Sequence, residues 1–187
     1  GIFEILDESV RIDNIREVQI EDLLRREPVQ IDFKSVADFL KDKKVLVTGS
    51  GGSIGSELCR QIINCNPSQI ILLGQGENSI FEIQHEVLKR LARTNGKYLH
   101  TEVKTYVANI RSYDRIDSII NETRPDVIFH TAAHKHVPMM EDNSCEAISN
   151  NVRGTKNLIE LSLKYNVDHF VFISTDKAVN PSSIMGA

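Results

Sequence analysis

The sequence has no apolar run near the ~20 residues that a membrane-spanning helix requires, and it has no block of lysine and arginine. Its formal net charge is −4. Without a basic stripe there is nothing to neutralise a phosphate backbone, which argues against a nucleic-acid partner. No charged-then-apolar leader with a small-residue cleavage site opens the chain, so nothing in it marks export. Cysteine is scarce: Cys59, Cys65 and Cys145 are an odd number without metal-like spacing. They read as reduced thiols and point to a cytoplasmic protein. Internal repeats and low-complexity segments are absent as well.

What is present is an ordinary globular composition, with 41% apolar and 26% charged residues in 187. A chain of this size can bury roughly 70% of the surface its unfolded form exposes. Residues 1–42 are rich in charge and read as an N-terminal arm or linker. In it, "IEDLLRRE" is helical and is stopped by Pro28. "DFKSVADFLKDK" places Phe33, Val36, Phe39 and Leu40 on one helical face, with Asp32 as its N-cap. Residues 43–187 read as one domain. "KVLVTG", "QIILLG", "EVKTYVA", "DVIFHTA" and "HFVFIS" are strands. Between them lie helical segments: "SIGSELCRQIINC", "NSIFEIQHEVLKRLART", "YDRIDSIINETR" and a long "SCEAISNNVRGTKNLIELSLKYN". Largely apolar β-branched strands alternating with helices predict an α/β fold. It is a Rossmann-like, doubly wound parallel sheet with helices on both faces and right-handed crossovers.

"VLVTGSGGSIGSEL" joins the first strand to the first helix of that domain. Gly49, Gly52 and Gly55 form G-x-x-G-x-x-G, with Gly51 as an extra. The first glycine permits a tight turn, the second lets backbone approach a pyrophosphate, and the third lets helix and strand pack closely. The phosphates would rest on backbone N–H groups of Ser50, Gly52, Ser53 and Ile54 at the helix N-terminus. The strand–loop–helix context supports dinucleotide binding over a plain glycine turn. No Gly-Lys-Ser/Thr follows, which excludes a Walker A site. The second strand ends "LLGQGEN", with Gly74 where a ribose-binding acid would fall and Glu77 a turn later. The cofactor is therefore NAD or NADP, with the choice open. After the third strand, "ANIRS" offers Asn109 and Ile110 for the adenine; the alternative for Asn109 is a plain loop asparagine.

"FHTAAHKHVPMMED" follows the fourth strand. Ala132 and Ala133 are small enough for a cofactor to lie against the backbone. His130, His134 and His136 are spaced H-x-x-x-H-x-H with no helix to gather them, and are read as polar or structural rather than as metal ligands. Lys135, His136 and Glu141 are candidates to face substrate, or else are surface charges. Asn151 is a poor helix former inside a helical stretch. Either it is solvent-exposed, or its amide props the end of the neighbouring strand or orders a water. Past the fifth strand, Thr175, Asp176 and Lys177 bring a hydroxyl, a carboxylate and an amine to the carboxyl end of a strand. On residue type alone they are either an acid–base group or a solvated turn.

Together "VTGSGGSIGSEL", "HTAAHKHVP", "SNNVRGTKNL" and "FISTDKAVNPSSIMGA" resemble the extended short-chain dehydrogenase/reductases. More narrowly they resemble the membrane-anchored, capsule-type nucleotide-sugar 4,6-dehydratases of polysaccharide biosynthesis, which act on UDP-N-acetylglucosamine. The resemblance covers about residues 44–187. "STDKAVNP" and "KHVP" are its most specific pieces, and the charged "REVQIEDLLRREPV" is similar to the segment before that domain in anchored members. It implies oxidation of the sugar at carbon 4 by NAD(P), loss of water across carbons 5 and 6, and return of the hydride to carbon 6. Lys177 and Asp176 would be base and acid, Thr175 would hydrogen-bond the carbon 4 oxygen, and Asn151 would belong to the cofactor site. A lysine base needs burial or the cationic nicotinamide to favour its neutral form. Met185 stands where the superfamily has tyrosine. The partner lysine would fall two residues beyond Ala187, so a truncated fragment with a fraying tail after Pro181 and an incomplete site is expected. The resemblance further implies a UDP-sugar partner, a homo-oligomer, and a full-length protein held on the cytoplasmic face of a membrane. A nucleotide-sugar epimerase and a non-catalytic dinucleotide-binding domain are the alternatives.

Overall fold

Five strands run in one direction, and each is short enough that its register decides which side chains meet. In the computed structural model, residues 32–93 and 100–187 are described. The helical stretch read at "IEDLLRRE" lies outside them. The strands are β1 (Lys44–Thr48), β2 (Gln69–Gly74), β3 (Glu102–Val107), β4 (Val127–His130) and β5 (His169–Phe172). They form a parallel sheet of order β3-β2-β1-β4-β5. Thr48 pairs with Leu73 on one side and with His130 on the other. His130 in turn pairs with Phe172, and Gly74 with Val107. The carboxyl ends therefore stand level. The order reverses between β1 and β4, which is where ligands bind in open α/β sheets.

Around the sheet lie α1 (Phe33–Leu40), α2 (Ser53–Ile62), α3 (Glu77–Arg93) and α4 (Tyr113–Thr123). Beyond β4 come two short helices, α5 (Val137–Asp142) and α6 (Ser144–Ala147), and then α7 (Thr155–Lys164). Side chains alternate across the strands, so two cores form. Val45, Val47, Ile70, Leu72 and Val127 face Leu40, Cys59, Ile62, Ile83 and Val87 on one side. Leu46, Ile71, Leu73 and Ile128 face Ile116, Ile119, Ile120, Leu158 and Leu161 on the other. This is the doubly wound α/β sandwich expected from the apolar strand runs. Among the described residues no helix is long and apolar enough to cross a membrane.

Three local expectations need correction. The long helix expected over residues 144–166 is interrupted: Ile148–Gly154 winds as a π-helix between α6 and α7. A single apolar period cannot reveal a widened turn. Directly after the histidines, where no helix was expected, "VPMMED" is helical, with Pro138 in the first turn where its missing N–H costs nothing. On α1, Leu40 is buried but Phe33 is 70% exposed, while the Phe39 ring stands edge-on to His169 at 4.8 Å.

A fully buried leucine truncated to alanine loses transfer free energy and leaves a cavity. Leu72→Ala is expected to lower the unfolding free energy by about 2–5 kcal/mol. Phe81→Ala, at an exposed position, is expected to change it by about 0.5 kcal/mol. Urea titration followed by circular dichroism measures both. Equal losses in the two variants would contradict this assignment of the core.

Candidate dinucleotide site

Gly49 directly follows β1 and has φ +69°. A Cβ there would stand 2.8 Å from the Cα and N of Ala132, so the turn after β1 and the loop after β4 touch backbone to backbone. Gly55 meets the same constraint from the helix side, since a Cβ there would overlap the Gly49 carbonyl oxygen. Gly52 is the N-cap of α2 with extended backbone and no side-chain cap. Its own N–H is taken by the Gly49 carbonyl at 2.9 Å. The first-turn N–H groups of α2, at Ser53, Ile54 and Gly55, have no intrahelical acceptor, as at every helix start, and suit an anion.

Two clefts flank Gly49. The larger, about 240 Å³, is lined by Gly52, Ser53, Ile54, Gly55 and Thr131 and by Lys135, His136, Met139 and Met140 beyond β4. The smaller, about 170 Å³, is lined by Leu73, Gly74, Gln75, Ala108, Ile110, Ala132 and Asn150. Gly49, Ala133 and His134 border both. The result is a groove across the carboxyl ends of the sheet, with the helix N-terminus at its centre and the shorter arm over β2 and β3.

The loop after β4 is tied down from below. Thr131 donates both its N–H and its hydroxyl to the Thr48 carbonyl, at 3.2 and 2.7 Å. Asn151, in the π-helix, accepts from the His134 N–H at 2.8 Å and donates to the His134 carbonyl at 3.0 Å. The Asn150 amide donates to Asn151 at 3.0 Å. Asn151 therefore props the loop rather than facing solvent. His130 is buried. Its Nδ1 lies 2.7 Å from the Thr48 hydroxyl and its Nε2 2.8 Å from the Thr155 hydroxyl. The ring stacks on Phe172 with centroids 5.5 Å apart. Burial pushes the imidazole down to about 4, so it is neutral at ordinary pH.

Several sequence candidates sit elsewhere than expected. Ser50 is buried, and both its backbone N–H and its hydroxyl donate to the Leu73 carbonyl, at 3.2 and 3.3 Å, so it braces β2 instead of offering its N–H to the groove. The Asn109 amide oxygen accepts from the Arg111 N–H at 2.9 Å, and Arg111 bonds Glu146 at 2.6 Å. Ala108 and Ile110 line the smaller cleft beside it. His130, His134 and His136 do not gather, and among the described residues no group of three or more His, Cys, Asp or Glu is placed to hold a metal ion.

Thr175, Asp176, Lys177 and Met185 line neither cleft. The first three form their own exposed cluster just past β5. Thr175 donates to Asp176 at 3.0 Å, and Lys177 lies 3.2 Å from the same oxygen. The Thr175 hydroxyl, then Lys177, hold the Asp176 carboxyl below its ordinary value. The segment after Pro181 turns back instead of fraying. The Ile184 N–H donates to Glu141 at 2.8 Å, and the Gly186 N–H donates to the Ser183 carbonyl at 3.1 Å. Glu141 is thus engaged with the stretch that carries Met185. Sequence reasoning missed Gln75, Thr131, Met139, Met140 and Asn150 as cleft residues. Thr131 and Gln75, each directly after a strand, carried a positional hint.

Residues 45–187 match the family described as polysaccharide biosynthesis protein. Over 187 residues the chain is 47% identical to the capsular polysaccharide biosynthesis protein CapD of Staphylococcus aureus, spanning all of this chain and 30% of that protein. It is 33% identical over 147 residues to a UDP-glucose 4-epimerase of Rickettsia canadensis, covering 78% of this chain and 40% of the relative. It is 29% identical over 146 residues to a UDP-N-acetylglucosamine 4,6-dehydratase (inverting) of Campylobacter jejuni, with the same two coverages. The solved structure of Pen from Bacillus thuringiensis aligns with a TM-score of 0.69 at 32% identity, over 79% of this chain and 42% of Pen. The chain thus spans well under half the length of these curated relatives.

The His130 environment sets a pH dependence. The folded imidazole titrates at about 4 against an unfolded value near 6.5. Between those values the unfolded chain binds more protons, so stability falls as pH drops from about 6.5 towards 4. The contribution is on the order of 3 kcal/mol, complete above the unfolded value. His130→Gln is expected to flatten the pH dependence of the urea midpoint in this window. An unchanged slope would contradict a buried neutral histidine.

Proposed function

The chain belongs to the polysaccharide biosynthesis protein family, and on that premise we propose that it forms the NAD(P)-binding part of a UDP-N-acetylglucosamine 4,6-dehydratase. The observation that carries the reading is the groove in which two clefts meet at Gly49, Ala133 and His134, over the open N-terminus of α2. A pyrophosphate fits the centre, where Ser53, Ile54 and Gly55 present N–H groups and, among the described residues, no carboxylate lines either cleft. An adenosine fits the smaller cleft between Leu73–Gln75 and Ala108–Ile110. The larger cleft leads to Lys135 and His136, which are polar and suit the other half of the cofactor and a UDP-sugar.

NAD(P), when bound, accepts a hydride from the sugar and returns it. The chain's own residues handle protons and position. Thr175 offers a hydroxyl to the carbon 4 oxygen. Lys177 removes the proton on carbon 5 and returns it there when the hydride reaches carbon 6. Asp176 delivers a proton to the departing carbon 6 oxygen so that water leaves, that proton being replaced by the one the carbon 4 hydroxyl loses on oxidation. With its carboxyl held low by Thr175 and Lys177, Asp176 takes up a proton only after those contacts are exchanged for substrate. The cluster lies one strand away from the groove, and closing that gap is the task of substrate binding. A homo-oligomer and a membrane anchor belong to the same reading of the full-length protein. A 4-epimerase is the second reading, favoured by the 33% identity to the Rickettsia enzyme. It uses the same groove without loss of water.

Gly52→Val tests the groove. A Cβ at Gly52 would stand 3.2 Å from the Gly49 carbonyl oxygen, a tight contact that the backbone must relieve by a small shift, so circular dichroism first checks that the variant folds with its branched side chain in the phosphate approach. Calorimetry is expected to show NAD(P) affinity lowered at least tenfold. Undiminished affinity would count against the assignment. The activity is tested in the full-length protein with UDP-N-acetylglucosamine, the products being read by NMR. A 4-keto-6-deoxy sugar is expected, with Lys177→Ala and Asp176→Asn losing more than about a hundredfold in rate and keeping cofactor affinity. A product inverted only at carbon 4 would install the epimerase reading.

A further inference from the structure

We propose that His130 is a positioning residue for the loop that joins the two clefts, acting through a directional hydrogen-bond relay that ends on the backbone of His134. His130 lines neither cleft. The relay runs from the Thr48 hydroxyl to His130 Nδ1 at 2.7 Å, from His130 Nε2 to the Thr155 hydroxyl at 2.8 Å, and from that hydroxyl to the Asn151 carbonyl at 2.5 Å. The Asn151 side chain then holds both backbone groups of His134, and His134 borders both clefts.

Proton counting fixes the direction of every link. The Asn151 carbonyl can only accept, so Thr155 spends its one hydroxyl proton there. Thr155 must then accept from His130, which places the imidazole proton on Nε2. Nδ1 is bare and accepts the Thr48 hydroxyl proton. His130 is thereby a neutral Nε2–H tautomer with both nitrogens satisfied. It is faced by Thr48 from β1, by Phe170 and Phe172 from β5 and by Thr155 from α7, none of which carries a charge.

The relay matters because of where it lands. Asn151 and Thr155 span the π-helix Ile148–Gly154 and the first residue of α7. A π turn is a locally unfavourable winding, common where a side chain must be held in a particular place. The Thr155 hydroxyl captures the Asn151 carbonyl within that turn, and the turn aims the Asn151 amide at His134. The sheet end at Thr48, already bonded to Thr131, and the helix side of the groove are thus joined through one buried ring. The functional consequence, tighter dinucleotide binding, rests on the groove proposed above; the relay itself does not.

Thr155→Val removes the hydroxyl at nearly constant volume, and Thr155→Ser retains it. In the folded wild-type chain, ¹⁵N NMR is expected to show His130 protonated on Nε2 and bare on Nδ1; a proton on Nδ1 at neutral pH would overturn the relay. Thr155→Val is expected to speed hydrogen exchange of the His134 amide roughly fivefold to tenfold and to weaken NAD(H) binding by a similar factor, as for one lost hydrogen bond. Thr155→Ser should restore both. If Thr155→Val lowers only the melting temperature and leaves His134 exchange at the wild-type rate, Thr155 and His130 are structural and the proposal fails. If the wild-type chain binds no dinucleotide, the proposed function fails, and the tautomer and the His134 exchange rate still decide the relay.

Discussion

The contact between Gly49 and Ala132 is the constraint on which the site depends. β1 and β4 are neighbours in the sheet, but the chains leaving them turn to opposite sides. Their first residues must pass within backbone contact distance, with a Cβ at Gly49 only 2.8 Å from Ala132. Glycine alone meets both the positive φ and the missing side chain. Once the two loops touch there, the N-terminus of α2 is left open above them, and the clefts on either side share a border. A larger residue at Gly49 would part the loops and divide the groove.

Below that contact the protein is apolar and closely packed, and above it the groups are polar and half exposed. His130 stands at the boundary. It closes the apolar stack against Phe172 while its two nitrogens serve hydroxyls of β1 and α7. Burial of the ring favours neutrality, and neutrality is what its partners require. The exposed trio Thr175, Asp176 and Lys177 has the opposite character. Its members satisfy one another at 3.0–3.2 Å, with little burial to hold them, and can exchange those bonds for substrate at small cost.

The sheet was legible in the sequence because its central strands are continuous apolar runs, and the residues that separate them are helical or turn formers. The glycine loop was legible because its spacing falls between such a strand and a helix. What could not be read is what depends on side chains meeting backbone far away in the chain. Asn151 gave itself away as an odd residue in a helix, but its partner His134 lies 17 positions earlier. Ser50 looked like a phosphate ligand by position, and its N–H and hydroxyl both turn to the Leu73 carbonyl because β2 lies beside it. The π-helix left no mark in the apolar period. The segment after Pro181 was read as frayed, and Glu141 holds it through a bond across 43 residues. The trio past β5 stood out by residue type at a strand end and took its roles from likeness to a family, and its distance from the groove is information that only the structure supplies.

The central claim, that one groove over Gly49 receives a dinucleotide, is tested most directly by an amide NMR titration of this chain with NAD⁺. The account predicts that shifts concentrate at Gly52–Gly55, Gly74–Gln75, Ala108–Ile110 and Ala132–His134, and that they saturate with one dissociation constant. Shifts confined to other surfaces, or none at these amides at saturating NAD⁺ and NADP⁺, would contradict it.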